Sequence, residues 1–394
     1  MQKLKGYIEQ VRGVSYKPID VRDAQSGVAV LRANNIQDKV DMSDLIFVDA
    51  KKIAESQYLK EGDVLICASS GSKNLVGKAV VIPNDLDAAF GAFCKVVRIK
   101  AVSDVNPEFI RLFFLSKNYR DAISECSVGA NINNIKTDHL DNLRINIPNY
   151  NIQCFAVEYL HKLQRAIDLK RKQLNDLDEL VKSKFQEMFG DPIENEKGWD
   201  VKKLEEIVAE GCSISYGIVQ PGIGVEDGVP VVRPVDMINT FVSRQGLKQT
   251  TKEISNSYKR TVLKGNEILL CVRGITGMVA LASEELKGCN VTRGIAPIEC
   301  NERNNRWFVY YQFLTNGIQQ HIAEHTKGIA LKQINMEDVR KIPFIIPPIE
   351  QQTCFAEFAQ KVYAANEIVN QEMTNLEELM ESKMDKCFGE KDEP

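Results

Sequence analysis

Apolar positions along the chain follow two alternating regimes, and the pair of regimes occurs twice. The first regime is a set of short β-like runs followed by an aromatic helical stretch. It appears as VAVLR (28–32), DVLIC (63–67) and KAVVI (78–82) before FIRLFFL (109–115), and again as VPVVR (229–233), EILLC (267–271) and MVALA (278–282) before FVYYQFL (308–314). Mixed periodicity of this kind predicts a compact domain of strands and helices. In the second regime, apolar residues recur in steps of three and four at Leu160, Leu163, Ile167, Leu174, Leu177 and Val181, with Lys170 at the one missing position. The later stretch gives Ala359, Val362, Asn366, Val369, Met373, Leu376 and Met380. That heptad spacing predicts two long helices that pair through a coiled-coil seam. Pro347-Pro348 suits a helix entry, and Gly190 before Asp191-Pro192 suits a stop.

The two halves are copies of one another. LKEGDVLIC (59–67) returns as LKGNEILLC (263–271), offset 204, and VAVLRANNI (28–36) as VPVVRPVDM (229–237), offset 201. FIRLFFLS, GANINNIKTDHLDNLRINIP and LDELVKSKFQEMFG return as FVYYQFLT, GIALKQINMEDVRKIPFIIP and LEELMESKMDKCFG, all offset 199. Ser15-Tyr16 is read as the match of Ser215-Tyr216. Conserved order with an offset that drifts only at loops is the mark of a duplication. The expected layout is an α+β chain: domain 1 over 1–150, helix 1 over 151–190, domain 2 over 191–348, helix 2 over 349–389 and a tail at 390–394.

Composition removes several alternatives. Of the 394 residues 44% are apolar and 26% charged, as in globular proteins, and no apolar run approaches the ~18 residues of a membrane span. The N-terminal segment lacks an apolar signal core, so a cytoplasmic chain is expected. Ten cysteines occur without a C-x-x-C pair and four histidines without H-E-x-x-H, so no metal site is expected. The net charge of −4 comes from the C-terminal segment, where residues 346–394 carry 4 basic and 11 acidic residues. Those acids face either a partner or water. Residues 1–150 carry 20 basic and 18 acidic residues, which permits local nucleic-acid contact. Catalytic outlines fail throughout. Gly71–Ala79 is one residue too long for a phosphate loop and ends in Ala79, which has no hydroxyl for magnesium, so a turn between strands is expected there. No nucleophile elbow, dinucleotide fingerprint or [DNS]-P-P-[YFW] stretch is present.

The duplicated segments carry a resemblance over essentially the whole chain. LKEGDVLICASSGS, GANINNIKTDHLDNLRINIP and SKFQEMFG in the first half, with LKGNEILLCVRGITG, GIALKQINMEDVRKIPFIIPPIEQQ and SKMDKCFG in the second, resemble the specificity (S) subunits of type I restriction–modification enzymes. The first copy departs from the R-G-I-T-G turn and the I-P-P-I-E-Q-Q helix entry. The resemblance implies two target-recognition domains, each reading one half of a bipartite, asymmetric DNA site. It also implies an antiparallel coiled coil as spacer, with pseudo-two-fold symmetry. Two methyltransferase (M) subunits would dock and methylate adenine, and restriction (R) subunits would translocate and cleave. The chain itself would be non-catalytic and bind no cofactor; S-adenosylmethionine, ATP and Mg would sit on the partners. A helix of about 35 residues is ~50 Å long, or ~15 base pairs at ~3.4 Å each.

Asparagine and glutamine read adenine, arginine and lysine read guanine, and small hydroxyls at turns let the backbone approach phosphates. The candidate DNA contacts in the first half are Arg32, Asn34, Ser69, Ser70, Ser72, Lys73, Lys78, Asn131, Asn133, Asn134 and Lys136. Those in the second are Arg233, Arg273, Thr276, Asn290, Arg293, Lys327, Lys332, Gln333 and Asn335. Tyr16 and Tyr216 either stack on DNA or pack. Two rival readings remain open here: a duplicated DNA- or protein-binding adaptor outside restriction–modification, and an enzyme with an unfamiliar site.

Overall fold

The computed structural model describes residues 1–126, 134–328 and 331–389, apart from the side chains of Lys73 and Cys126. Asn131, Asn133 and the tail 390–394 lie outside the described residues. The chain divides into two compact units, Met1–Arg171 with Gln371–Pro394, and Lys172–Asn370.

The first unit carries eight strands used below: β1 (Ile8–Arg12), β2 (Val21–Arg22), β3 (Val28–Leu31), β4 (Ile46–Val48), β5 (Val64–Cys67), β6 (Ala79–Val81), β7 (Ala88–Phe90) and β8 (Cys94–Ile99). They form two four-stranded sheets, ordered β1-β8-β5-β6 and β2-β4-β3-β7. The first is antiparallel throughout, and in the second β3 and β7 run parallel. β5 is buried along its whole length, as the continuous run VLIC requires. The expected turn at 71–79 is the β5–β6 connection, containing one turn of 3-10 helix at Lys73–Leu75.

The second unit repeats the pattern with β9 (Val229–Val232), β10 (Lys248–Thr250), β11 (Ile268–Cys271), β12 (Val279–Leu281), β13 (Asn290–Val291) and β14 (Ile295–Ile298). Here the sheets are three-stranded, β10-β9-β13 and β12-β11-β14. β9 and β13 are again parallel, matching β3 and β7.

Helix α1 (Pro107–Phe114) follows the sheets of the first unit, and helix α3 (Arg306–Phe313) those of the second. Both start on an asparagine cap, Asn106 or Asn305, whose side chain accepts from the N–H two residues on. The long helices are α2 (Tyr150–Phe189) and α4 (Ile349–Phe388), each 40 residues. Among the described residues, no helix is long and apolar enough to cross a membrane.

The unit boundary falls within both long helices, so each unit owns part of α2 and part of α4. In the first unit Ala156 and Leu160 of α2 share a core with Met384 and Phe388 of α4. The Phe388 ring lies 4.9 Å from that of Phe109 and 5.7 Å from that of Phe113. Lys170 pairs with Glu372 at 2.6 Å and Arg171 with Glu377 at 2.9 Å. From Ala156 and Leu160 beside Met384 and Phe388 to Lys170 beside Glu372, partners descend as α2 ascends, so the pairing is antiparallel. The second unit has the same order: Val181 and Phe185 share a core with Phe355, Ala359 and Val362. Asn366 donates to Asp178 there at 3.1 Å.

The seam positions divide by depth. Leu160, Leu163, Ile167, Val181, Val362 and Val369 are buried. Leu174, Leu177, Met373, Leu376 and Met380 are half-buried. The middle of each helix thus leans on polar pairs, at Lys170 and Asn366, where the heptad pattern lacks an apolar residue. The two alternatives for these helices, packing on a domain or on each other, are both realised: the seam residues at the helix ends do both at once.

Phe308 is the centre of this arrangement in the second unit. It is fully buried, with ring centroids 4.8 Å from Phe189 and 5.6 Å from Phe185. Phe308→Ala is expected to destabilise that unit by about 3–5 kcal/mol through lost burial and a cavity, read as an earlier denaturation transition.

The repeat register needs one correction. Val14 bridges Gly91 in parallel, and Ile218 bridges Thr292 in the same way. A Cβ on Gly13 would lie 2.1 Å from the Gly91 carbonyl oxygen, and one on Gly217 2.0 Å from that of Val291. Gly13 therefore matches Gly217, and Ser15-Tyr16 matches Val219-Gln220 rather than Ser215-Tyr216. Tyr16 packs beside Val14 and Val30, whereas Tyr216 is 49% exposed. The two tyrosines do not share a role.

Candidate nucleic-acid interface

In the first unit, three connections meet at one edge of the sheets: the loop after β3, the loop after β5, and the turn 91–93 between β7 and β8. Ala68 and Ser69 N–H groups both donate to the Phe93 carbonyl at 2.9 Å, and Gly91 N–H donates to Leu31 at 2.9 Å. Ile135 N–H donates to Ala68 at 2.7 Å, and Ser69 bridges Asn134. A cavity of 590 Å³ opens among them, lined by Tyr16, Arg32, Asn34, Ser69, Ser70 and Phe93 with others. Four of the sequence candidates are thus brought together.

Their polar groups are oriented by a single carboxylate. Arg32 Nη2 donates to Asp44 Oδ2 at 2.9 Å and Asn34 Nδ2 to the same oxygen at 2.7 Å. Arg32 Nε is buried and has no hydrogen-bond partner among the described residues. Ser70 Oγ accepts from the Ser72 N–H at 3.1 Å, fixing the loop. Lys78 donates to Gln37 at 2.7 Å, and Asn134 and Lys136 are exposed. Lys73 begins the 3-10 turn.

The second unit builds the same edge. Val272 N–H donates to Gly294 at 2.8 Å, Gly274 N–H to Lys332 at 2.9 Å, and Ile334 N–H to Val272 at 3.1 Å, while Arg273 bridges Gln333. Lys327 pairs with Gln333 in a short hairpin. Arg273, Arg293, Lys327 and Lys332 gather along this edge, and among the described residues their side-chain cations make no ion pair. Gln333 and Asn335 are exposed beside them, and Thr276 shares a hydroxyl contact of 3.2 Å with Thr326. Arg233 is committed elsewhere: Asp236 accepts from its Nε at 3.0 Å and Nη2 at 2.7 Å, and those bonds hold its pKa above the usual arginine value.

Asn290 is not a surface group, contrary to the sequence expectation. It is fully buried, and its side-chain oxygen accepts from Thr261 Oγ1 at 2.7 Å while Nδ2 donates to Ser255 Oγ at 3.2 Å. A buried amide already satisfied on both ends cannot reach a base edge. The matched residue in the first unit is Ala89, since Val231 pairs with Asn290 as Val30 pairs with Ala89. Asn290→Ala is expected to cost about 1–3 kcal/mol by leaving buried hydroxyls unpaired, read as an earlier thermal unfolding transition.

The family model for the type I restriction modification DNA specificity domain matches this chain twice, over residues 24–179 and 196–378. Each match contains one of the two edges just described. The chain belongs to the type I restriction–modification DNA specificity family. The StySPI specificity subunit of Salmonella potsdam is 26% identical across 96% of this chain and 86% of its own length. The EcoKI specificity subunit of Escherichia coli (strain K12) is 36% identical over 46% of this chain and 40% of its own. The fold is shared with the crystal structure of the type I restriction–modification S subunit from M. genitalium, with a TM-score of 0.54 at 12% identity over 99% and 96% of the two chains. It is also shared with a chain from a study of complex assembly and conformational transition in the type I system, with TM-score 0.54, 18% identity and 97% of each chain covered. The match to a DNA specificity family favours recognition of DNA over an adaptor outside restriction–modification.

Sequence reasoning missed Phe93, which lines the first edge and is 71% exposed. An aromatic beside β-forming residues reads as core. Its repeat partner is Gly294, so the fold common to the two units does not depend on an aromatic at this position.

Proposed function

We propose that this specificity-family chain is the sequence-reading subunit of a type I restriction–modification complex. Each unit reads one half of a bipartite, asymmetric DNA target with its loop edge. The chain positions methyltransferase subunits for adenine methylation and restriction subunits for cleavage, and contributes no catalytic group. S-adenosylmethionine, ATP and Mg are handled by those partners. The observation that carries the reading is the family match to each unit separately, together with the divergence of the two edges. Different side chains on the same backbone scaffold demand different half-sites.

The repeat also speaks to stoichiometry. The first unit exposes Leu169 (67%) and Leu379 (37%), and the second exposes Leu180 (48%) and Ile368 (62%). Leu169 and Ile368 are repeat partners, as are Leu180 and Leu379. Apolar exposure at one position can be incidental, but exposure at matched positions in both copies favours a contact made twice. That supports two copies of one partner, the methyltransferase subunit. The test is single-molecule sequencing of genomic DNA from cells expressing the chain with its methyltransferase partner. A split, non-palindromic methyladenine motif is the expected result, and its absence in an active complex would refute the reading.

A further inference from the structure

The two loop edges present opposite chemistry at matched backbone positions. Ala68 N–H donates to the Phe93 carbonyl as Val272 N–H donates to that of Gly294. Ala92 N–H donates to Val14 as Arg293 N–H donates to Ile218. Phe93 is therefore the counterpart of Gly294, Ala92 of Arg293, and Ser69 of Arg273. Where the second unit places two arginines and no side chain between them and the sheet, the first places a methyl, a hydroxyl and an exposed ring.

The exchange is built into the packing. A Cβ on Gly294 would lie 2.8 Å from Pro234 Cγ, so this position in the second unit has no room for a ring. In the first unit the counterpart of Pro234 is Ala33, which lines the 590 Å³ cavity beside Phe93. The smaller residue leaves space for an aromatic. The backbone that carries the ring is fixed, because the Phe93 carbonyl accepts two N–H groups and Cys94 N–H closes the turn on Gly91 at 2.8 Å. An aromatic on a fixed turn, 71% exposed beside a cavity lined by Ser69, Ser70 and Asn34, is placed to be covered by a ligand rather than by the protein.

Given the DNA-reading role above, we propose that Phe93 is a specificity-determining residue of the first unit that packs on the C5-methyl of a thymine, on the edge where the second unit carries Arg273 and Arg293 on either side of Gly294. Apolar contact with the thymine methyl is the major-groove counterpart of arginine binding guanine O6 and N7. The half-site of the first unit therefore contains a thymine whose methyl group contributes to affinity.

Uracil substitution isolates this contact, because it removes the methyl and leaves the hydrogen-bonding edge intact. The chain in complex with its methyltransferase subunits is titrated with target duplexes carrying deoxyuridine at each thymine in turn. The wild-type complex should lose affinity about fourfold at one thymine, the worth of one buried methyl group. That thymine should lie in the half-site that changes when residues 1–150 are exchanged. Phe93→Ala should bind the thymine and uracil duplexes equally, and Phe93→Leu should keep part of the difference. Arg293→Ala should keep all of it. The inference is overturned if Phe93→Ala retains the full wild-type loss at every position, or if no thymine in that half-site is methyl-sensitive. Failure of the wild-type complex to select any sequence would instead remove the DNA-reading role, so the two failures are separable.

Discussion

Exchanging residues 1–150 for the corresponding domain of another specificity-family chain should rewrite one half of the methylated sequence and leave the other half intact. The first edge draws its residues from the loops after β3 and β5, the turn 91–93 and the segment at 134–136, all within the exchanged stretch. The second edge, with Arg273, Arg293, Lys327 and Lys332, lies in residues 172–370 and keeps its own hydrogen bonds. The effect is a switch of specificity rather than a loss of activity, because base contacts at a mismatched position cost about 1–3 kcal/mol each and several change together. Sequencing of modified genomic DNA reads both halves at once. If both halves changed in a folded chimera, the units would not be independent readers. The exchange must preserve Ala156, Leu160 and the residues that meet Met384 and Phe388, since the core of the first unit includes them.

The isolated chain should bind its target weakly, and affinity should rise by at least two orders of magnitude once the methyltransferase subunits are bound. On the first unit's edge Arg32 is already paired with Asp44 at 2.9 Å, and residues 1–150 carry 20 basic against 18 acidic residues. The second edge gathers Arg273, Arg293, Lys327 and Lys332, but residues 191–345 carry 19 basic and 19 acidic residues. Most affinity for duplex DNA comes from phosphate neutralisation and the counterions it releases. A chain with this balance has side chains for reading bases but little net field for holding the backbone. Titration of a fluorescent duplex at ~150 mM salt, with and without partners, measures the difference. A nanomolar, sequence-selective complex formed by the chain alone would contradict it.

How much the sequence disclosed depended on the kind of feature. Strands such as VLIC and ILLC were legible because fully buried runs leave a continuous apolar string. The long helices were legible because a heptad repeats. Two-residue strands such as Val21–Arg22 leave no periodicity to read. Asn290 looked like a base reader because an amide between two loops carries no mark of burial. Its depth is set by Ser255 and Thr261, which are remote in sequence. Phe93 was not singled out, because an aromatic among β-forming residues carries no mark of its exposure. Ser15-Tyr16 was paired with the wrong dipeptide because two identical letters outweighed Gly13 and Gly217, whose equivalence rests on a backbone approach. Arg273 and Arg293 were found as letters, but their convergence with Lys332 needed the hydrogen bonds of Val272 and Gly274.

The way the two units partition the chain sets an order for their completion during synthesis. The second unit is a continuous stretch, Lys172–Asn370, whereas the first is closed by residues from Gln371 onward. On the ribosome, residues 1–171 emerge first but lack Met384 and Phe388, the side chains that cover Phe109 and Phe113. The domain made first is thus finished last, after its twin is already folded. A chain cut short near residue 370 would hold one sound reader and one with an open core. An open apolar core of that kind is what proteases and chaperones recognise.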